Sequence, residues 1–172
     1  MRNIRAIMKQ RVSSTKGMKP SRSHQNIFRS LKGHVTIFEL LQNGMFHLKQ
    51  ACRQKNTPPE RKDKLKQIFE TAYDCLTLFC KKNETNQRLL CDKLKLFLMN
   101  LDYELGQIPL ICEMCKDNKF VCEAYGEQIL NCIVELVEKK GRKPHYLDPL
   151  IVNPLIPALD ILILLTIRLF NA

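Results

Sequence analysis

A chain of 172 residues is long enough for one domain, and 45% hydrophobic residues supply the material for a folded core rather than a low-complexity tract. With no Trp, only six Gly and long stretches rich in Leu, Lys, Glu and Ile, the chain predicts an all-α fold; no alternating run of sheet length stands out. The net charge of +11 invites an anionic partner, but Arg2, Arg5, Lys9, Arg11, Lys16, Lys19, Arg22, Arg29 and Lys32 all precede the first carboxylate, Glu39, so most of the excess sits at one end.

In chain order, residues 1–22 read as a basic, solvated leader. Ile4, Ile7 and Met8 with Arg2, Arg5 and Lys9 fit a short amphipathic helix, and Gly17 and Pro20 break the chain behind it. The leader lacks the apolar core of a secretory signal, and the aromatic interleaving that stacks single-stranded nucleic acid is missing. No nucleic acid partner is expected. Ser23 to Gln42 predicts a first helix pair interrupted at Gly33, with Asn43-Gly44 as its stop. Met45 to Glu60, polar and carrying Pro58-Pro59, reads as a loop.

The strongest signal spans Asp63 to Leu101. Leu65, Ile68, Ala72, Cys75, Leu76 and Phe79 recur at helical spacing, then Lys81-Lys82-Asn83 turns the chain, with Asn83 suited to a left-handed cap. A second helix, capped by Thr85 or Asn86, carries Leu89, Leu90, Leu94, Phe97, Leu98 and Leu101. Beyond a link at Asp102 to Gly106, Pro109 suits the first turn of a helix through Cys112 and Cys115. Asp117-Asn118 marks a corner. Phe120, Val121, Ala124, Tyr125, Ile129, Cys132, Ile133, Leu136 and Val137 then describe a long helix ending at Lys139-Lys140-Gly141. The tail over 152–172 is apolar, but Asp160 and Arg168 interrupt any run of the roughly 18 residues that a membrane helix needs. Repeated helix–turn–helix units of this kind predict a stack in which each unit covers its neighbour's apolar face.

Three blocks carry a resemblance. LTLFCKKNETNQRLL followed by KLKLFLMN, RSHQNIFRSLKGHVTIFELLQ upstream, and ILNCIVELVEKKGRKPHYLDPL downstream resemble, in order, the repeats of the ryanodine and inositol trisphosphate receptor homology domain. They lie closer to the inositol trisphosphate receptors. The resemblance implies an armadillo-like helical solenoid segment over residues 23–151. It also implies a place in the cytosolic regulatory region of an inositol trisphosphate-gated calcium-release channel in the endoplasmic reticulum membrane. There the segment would couple ligand binding to gating. Its partners would be other domains and subunits of a tetramer, with inositol trisphosphate and calcium bound elsewhere in the full protein. Expressed alone it would be cytoplasmic, and a solenoid segment with uncovered ends is expected to self-associate.

Few residues invite a chemical role. Cys112-x-x-Cys115, with Cys122 and Cys132 downstream, has one zinc-like spacing, but the pair falls on a helix where buried Cys acts as a small hydrophobe. Metal, cofactor and catalytic residues are therefore expected to be none. His24, His34, His47 and His145 stand apart from any nucleophile, and no glycine-rich phosphate loop, GxSxG or HExxH is present, so no enzyme is expected. Lys49, Arg53, Lys55, Arg61 and Lys62 gather before the central hairpin and would suit an acidic partner. A free-standing armadillo-like adaptor, docking its basic arm on acidic protein or lipid, is the competing expectation.

Overall fold

The computed structural model describes residues 21–141 and 143–151, so the expectations for the first 20 residues and for the apolar tail lie outside it. The described secondary structure is helical throughout. Helix α1 (Arg22–Ser30) starts on Ser21, whose hydroxyl accepts the Ser23 N–H at 3.2 Å, and ends before Lys32, a left-handed residue with φ 56°. Helix α2 (Gly33–Arg53) follows directly. A Cβ at Gly33 would lie 2.4 Å from the ring of the half-buried Phe28 of α1, so a larger residue there obliges that ring to shift.

Asn43-Gly44 does not stop α2, and Met45 to Arg53 is helix rather than loop. His34, Phe38, Leu41, Met45, Leu48 and Ala51 form one buried stripe across the whole helix, and the polar residues between them are its solvent face. Gly44 serves packing instead: a Cβ there would meet Phe69 Cζ at 3.0 Å, so the glycine lets α3 approach closely. The loop shrinks to 54–58. Helix α3 (Pro59–Cys80) begins with proline in the position where its missing N–H costs nothing, and Glu60 lies in the first turn.

The buried stripe of α3 is Phe69, Ala72, Tyr73, Leu76, Phe79 and Cys80. This is rotated from the predicted stripe: Ile68 is 47% exposed and Leu65 and Cys75 are only half-buried. The two large rings, Phe69 and Tyr73, take the inner positions. Asn83, not Thr85 or Asn86, caps α4 (Glu84–Cys91), and the left-handed residue is Lys82 at φ 53°. The expected single second helix is three pieces: α4, then α5 (Leu94–Leu98), then a 3-10 turn over Leu101–Tyr103. Breaking it keeps Leu90, Leu94, Phe97, Leu98 and Leu101 all buried.

Gly106, at φ 102°, opens α6 (Gln107–Cys115), with Pro109 in the first turn as expected. Helix α7 (Lys119–Lys140) is capped by Asn118 and ends at Gly141, φ 84°, as its two lysines and glycine predict. A 3-10 turn over Pro144–Leu147 leads to α8 (Asp148–Ile151). Helix α2 runs along α3, and α6 sits centrally, packed by α3, α4, α5, α7 and α8. Leu41, Leu48, Leu76, Leu90 and Leu110 are completely buried, each worth about 1.5–3 kcal/mol relative to exposure. The result is an all-α, solenoid-like stack of helical hairpins. Among the described residues no helix is long and apolar enough to cross a membrane.

Candidate functional site

The two corners of the stack share one construction. At the first, α3 ends at Cys80, Lys81 leaves helical geometry at ψ 118°, Lys82 is left-handed, and the Asn83 side chain accepts the Asn86 N–H at 3.3 Å. At the second, α6 ends at Cys115, Lys116 is extended at ψ 122°, Asp117 is left-handed at φ 55°, and Asn118 accepts the Val121 N–H at 3.3 Å. Each corner leaves helix-terminal carbonyls in the interior without helical partners.

A glutamine from the preceding hairpin fills each corner. Gln25 Nε2 donates to Leu78 O at 2.8 Å and Lys81 O at 3.0 Å, while its Oε1 accepts Asn83 Nδ2 at 2.9 Å. Gln87 Nε2 donates to Glu113 O at 2.7 Å and Lys116 O at 3.1 Å, while its Oε1 accepts Asn118 Nδ2 at 2.9 Å. Both glutamines stand four residues after their own helix cap, Ser21 and Asn83. Thus α1 clasps the α3–α4 corner, and α4 clasps the α6–α7 corner. Asn86 reinforces the first clasp, donating to Phe79 O at 2.8 Å and accepting Arg29 Nη1 at 3.0 Å. The Lys82 N–H donates to the Glu113 carboxylate at 3.1 Å and ties the two corners together.

The series stops at the third cap. Four residues after Asn118 stands Cys122, whose thiol donates to Cys115 O at 3.3 Å within its own corner. There the chain uses a latch of two exposed ion pairs and one inward bond: Asp102 accepts Lys139 Nζ at 3.2 Å, and Glu104 accepts Lys143 Nζ at 2.5 Å and the hydroxyl of the buried Tyr146. Those bonds from Lys143 and Tyr146 hold the Glu104 carboxyl below its usual range. A clasp of neutral amides neither ionises nor attacks. It fixes one hairpin's angle against the next.

The cysteines with metal-like spacing do not form a ligand set. Cys115 and Cys122 are buried, Cys112 and Cys132 half-buried, and burial pushes all four thiols up, Cys112 to about 12, away from the thiolate that binds metal. Among the described residues no three His, Cys, Asp or Glu converge as metal ligands. The histidines fall on separate elements: His24 and His47 are exposed, and His145 is exposed against Tyr146. His34 is buried, stacked on Phe79 with centroids 5.3 Å apart, and desolvation followed by the Arg29 charge lowers its pKa. Lys49, Arg53, Lys55, Arg61 and Lys62 surround the short α2–α3 connection. Phe120, expected on an apolar stripe, is 46% exposed and lies under the Arg88 guanidinium of α4 at 4.7 Å.

Sequence does not single out Gln25 and Gln87, although it marks the corner asparagines. The signal it holds for them is the shared interval S-R-S-H-Q and N-E-T-N-Q, a cap followed four residues later by glutamine. The family model for the RIH domain matches residues 2–152, and no solved structure matches the chain.

Proposed function

The chain belongs to the RIH domain family, and from that premise we propose that it is a segment of the cytosolic regulatory solenoid of an inositol trisphosphate-gated calcium-release channel in the endoplasmic reticulum membrane. Its role there is mechanical rather than catalytic: it passes displacement between the ligand-binding region and the pore through packed hairpins, within a tetramer whose inositol trisphosphate and calcium sites lie in other domains. The observation that carries this reading is the pair of glutamine clasps, which join successive hairpins through buried amide bonds and make the stack stiff enough to transmit an angle. Coupling energy requires an element that keeps its shape under load, and what supports that here is that Gln25 and Gln87 are themselves buried, 4% and 2% exposed, with their amides bonded on both sides.

The test is Gln87→Leu placed in the full-length channel that carries this segment. Inositol trisphosphate binding should stay at its original affinity while calcium release from microsomes requires a higher ligand concentration. Superimposable release curves at equal channel abundance would overturn the proposal. Failure of any longer channel to carry the segment would return the chain to the adaptor reading.

A further inference from the structure

The two corners are built alike, so a position where their chemistry differs stands out. Leu78 and Glu113 both stand five residues before a corner cap, Asn83 and Asn118. Each gives its carbonyl to a clasping glutamine, at 2.8 Å and 2.7 Å. Leu78 ends in an aliphatic group. Glu113 ends in a carboxylate, and that carboxylate reaches the other corner, where it accepts the Lys82 N–H at 3.1 Å.

By the rules of its own helix Glu113 is misplaced. It lies in the last turn of α6, which ends at Cys115, and the free carbonyls of a helix end favour a cation over an acid. It takes part in none of the ion pairs among the described residues. Its charge sits beside the end of α3: burial and then Glu113 push the Cys80 thiol up. Lys82, left-handed at φ 53°, has left the helical ladder, and Glu113 supplies the acceptor for its N–H. At the second corner the matching residue is Asp117, whose own negative charge would repel such a carboxylate. The tie therefore belongs to this pair of corners. Gln25 holds Lys81 O at 3.0 Å and the Asn83 amide at 2.9 Å, on either side of Lys82. Glu113 thus meets the first clasp with its side chain and the second with its backbone. The other route between the clasps is α4 itself, from Asn83 to Gln87.

We infer that Glu113 is the positioning residue that couples the two clasps, passing a displacement of the first corner to the end of α6 and so to the second corner. Its bond to Lys82 is charge-assisted and holds more strongly than a neutral acceptor does. The clasps fix each corner, and Glu113 makes the corners move together. This deepens the mechanical role proposed above and rests on that reading for its use in a channel; the coupling itself is a property of this chain.

NMR spectroscopy of the full chain tests it. Gln25→Leu disturbs the first corner, and the amide signals of residues 113–118, with the Asn118 side-chain amide, report the second. In the parent those signals should move. With Glu113→Leu also present, which installs the side chain found at Leu78 and leaves Glu113 O to Gln87, the same change should move them about twofold less or weaker still. Glu113→Gln, which keeps an acceptor but no charge, should fall between. Hydrogen exchange at the second corner should stay slow throughout, because Gln87 still holds it. Equal shifts with and without Glu113→Leu would overturn the inference and leave α4 as the route, and so would the absence of any shift in the parent. Fast exchange at the second corner in Glu113→Leu would overturn it as well, by making the carboxylate part of one clasp rather than a link between two. No channel enters this measurement, so its failure leaves the calcium-release prediction for Gln87→Leu standing, and the reverse holds too.

Discussion

Gln25 and Gln87 do with one side chain what capping usually needs two for. Each satisfies two carbonyls at a helix end and orients the asparagine that starts the next helix. Gln87→Leu keeps the volume but strands Glu113 O, Lys116 O and the Asn118 amide; at 1–3 kcal/mol for an unsatisfied buried group, the loss should be about 3 kcal/mol, read from the urea midpoint. His34 gives a pH dependence. Its folded pKa lies below that of the unfolded chain, so as pH falls through the usual histidine range near 6.5 the unfolded state takes up the proton first. Its contribution is complete above that range and declines as pH drops towards the folded value. Thermal melts should therefore show a lower Tm at pH 5.5 than at pH 7.5. His34→Phe, which keeps the stack on Phe79, should reduce that difference; an unchanged difference would place the titration on another group.

At the scale of elements, glycine has opposite meanings at two positions. Gly141 closes α7 with positive φ, as a glycine after two lysines does. Gly44 lies inside α2 and trades helix propensity for close approach to Phe69. Gly44→Ala sets the two effects against each other: up to about 1 kcal/mol of propensity is gained, but the new methyl presses on a ring that is itself 1% exposed and has nowhere to move. Repacking costs of about 1–3 kcal/mol outweigh the gain, so the variant should melt below the parent; a higher Tm would show that Phe69 yields.

Over the whole molecule, the clasps point one way along the chain, each hairpin holding the corner of the next. Gln25→Leu should raise amide hydrogen exchange in α1 and around Lys81–Asn83, leaving the α6–α7 corner protected, because Gln87 still holds it. Loss of protection throughout would mean that the stack opens only as a unit. Beyond Asn118, Cys122 offers no such clasp, and the Asp102–Lys139 and Glu104–Lys143 pairs take over. These two pairs are exposed and screened by salt, and the buried Tyr146, bonded to Glu104, anchors the segment after α7 beside them.

Sequence alone determined the helical class, the corners at Lys81–Asn83 and Asp117–Asn118 and the end of α7, because caps and terminal cations act within a few residues of the backbone they satisfy. It also carried enough ordered text to point to the family. Only the tertiary structure decided that Asn43-Gly44 continues a helix, that Phe69 and Tyr73 displace Ile68 from the inner face of α3, and that Gln25 and Gln87 reach across to corners 53 or more and 26 or more residues away. The reason is physical. Helical periodicity fixes a stripe only to within a residue or so, and the facing helix selects which side chains fill it. An amide on an apparently polar face acquires its partners only when another helix end is brought against it.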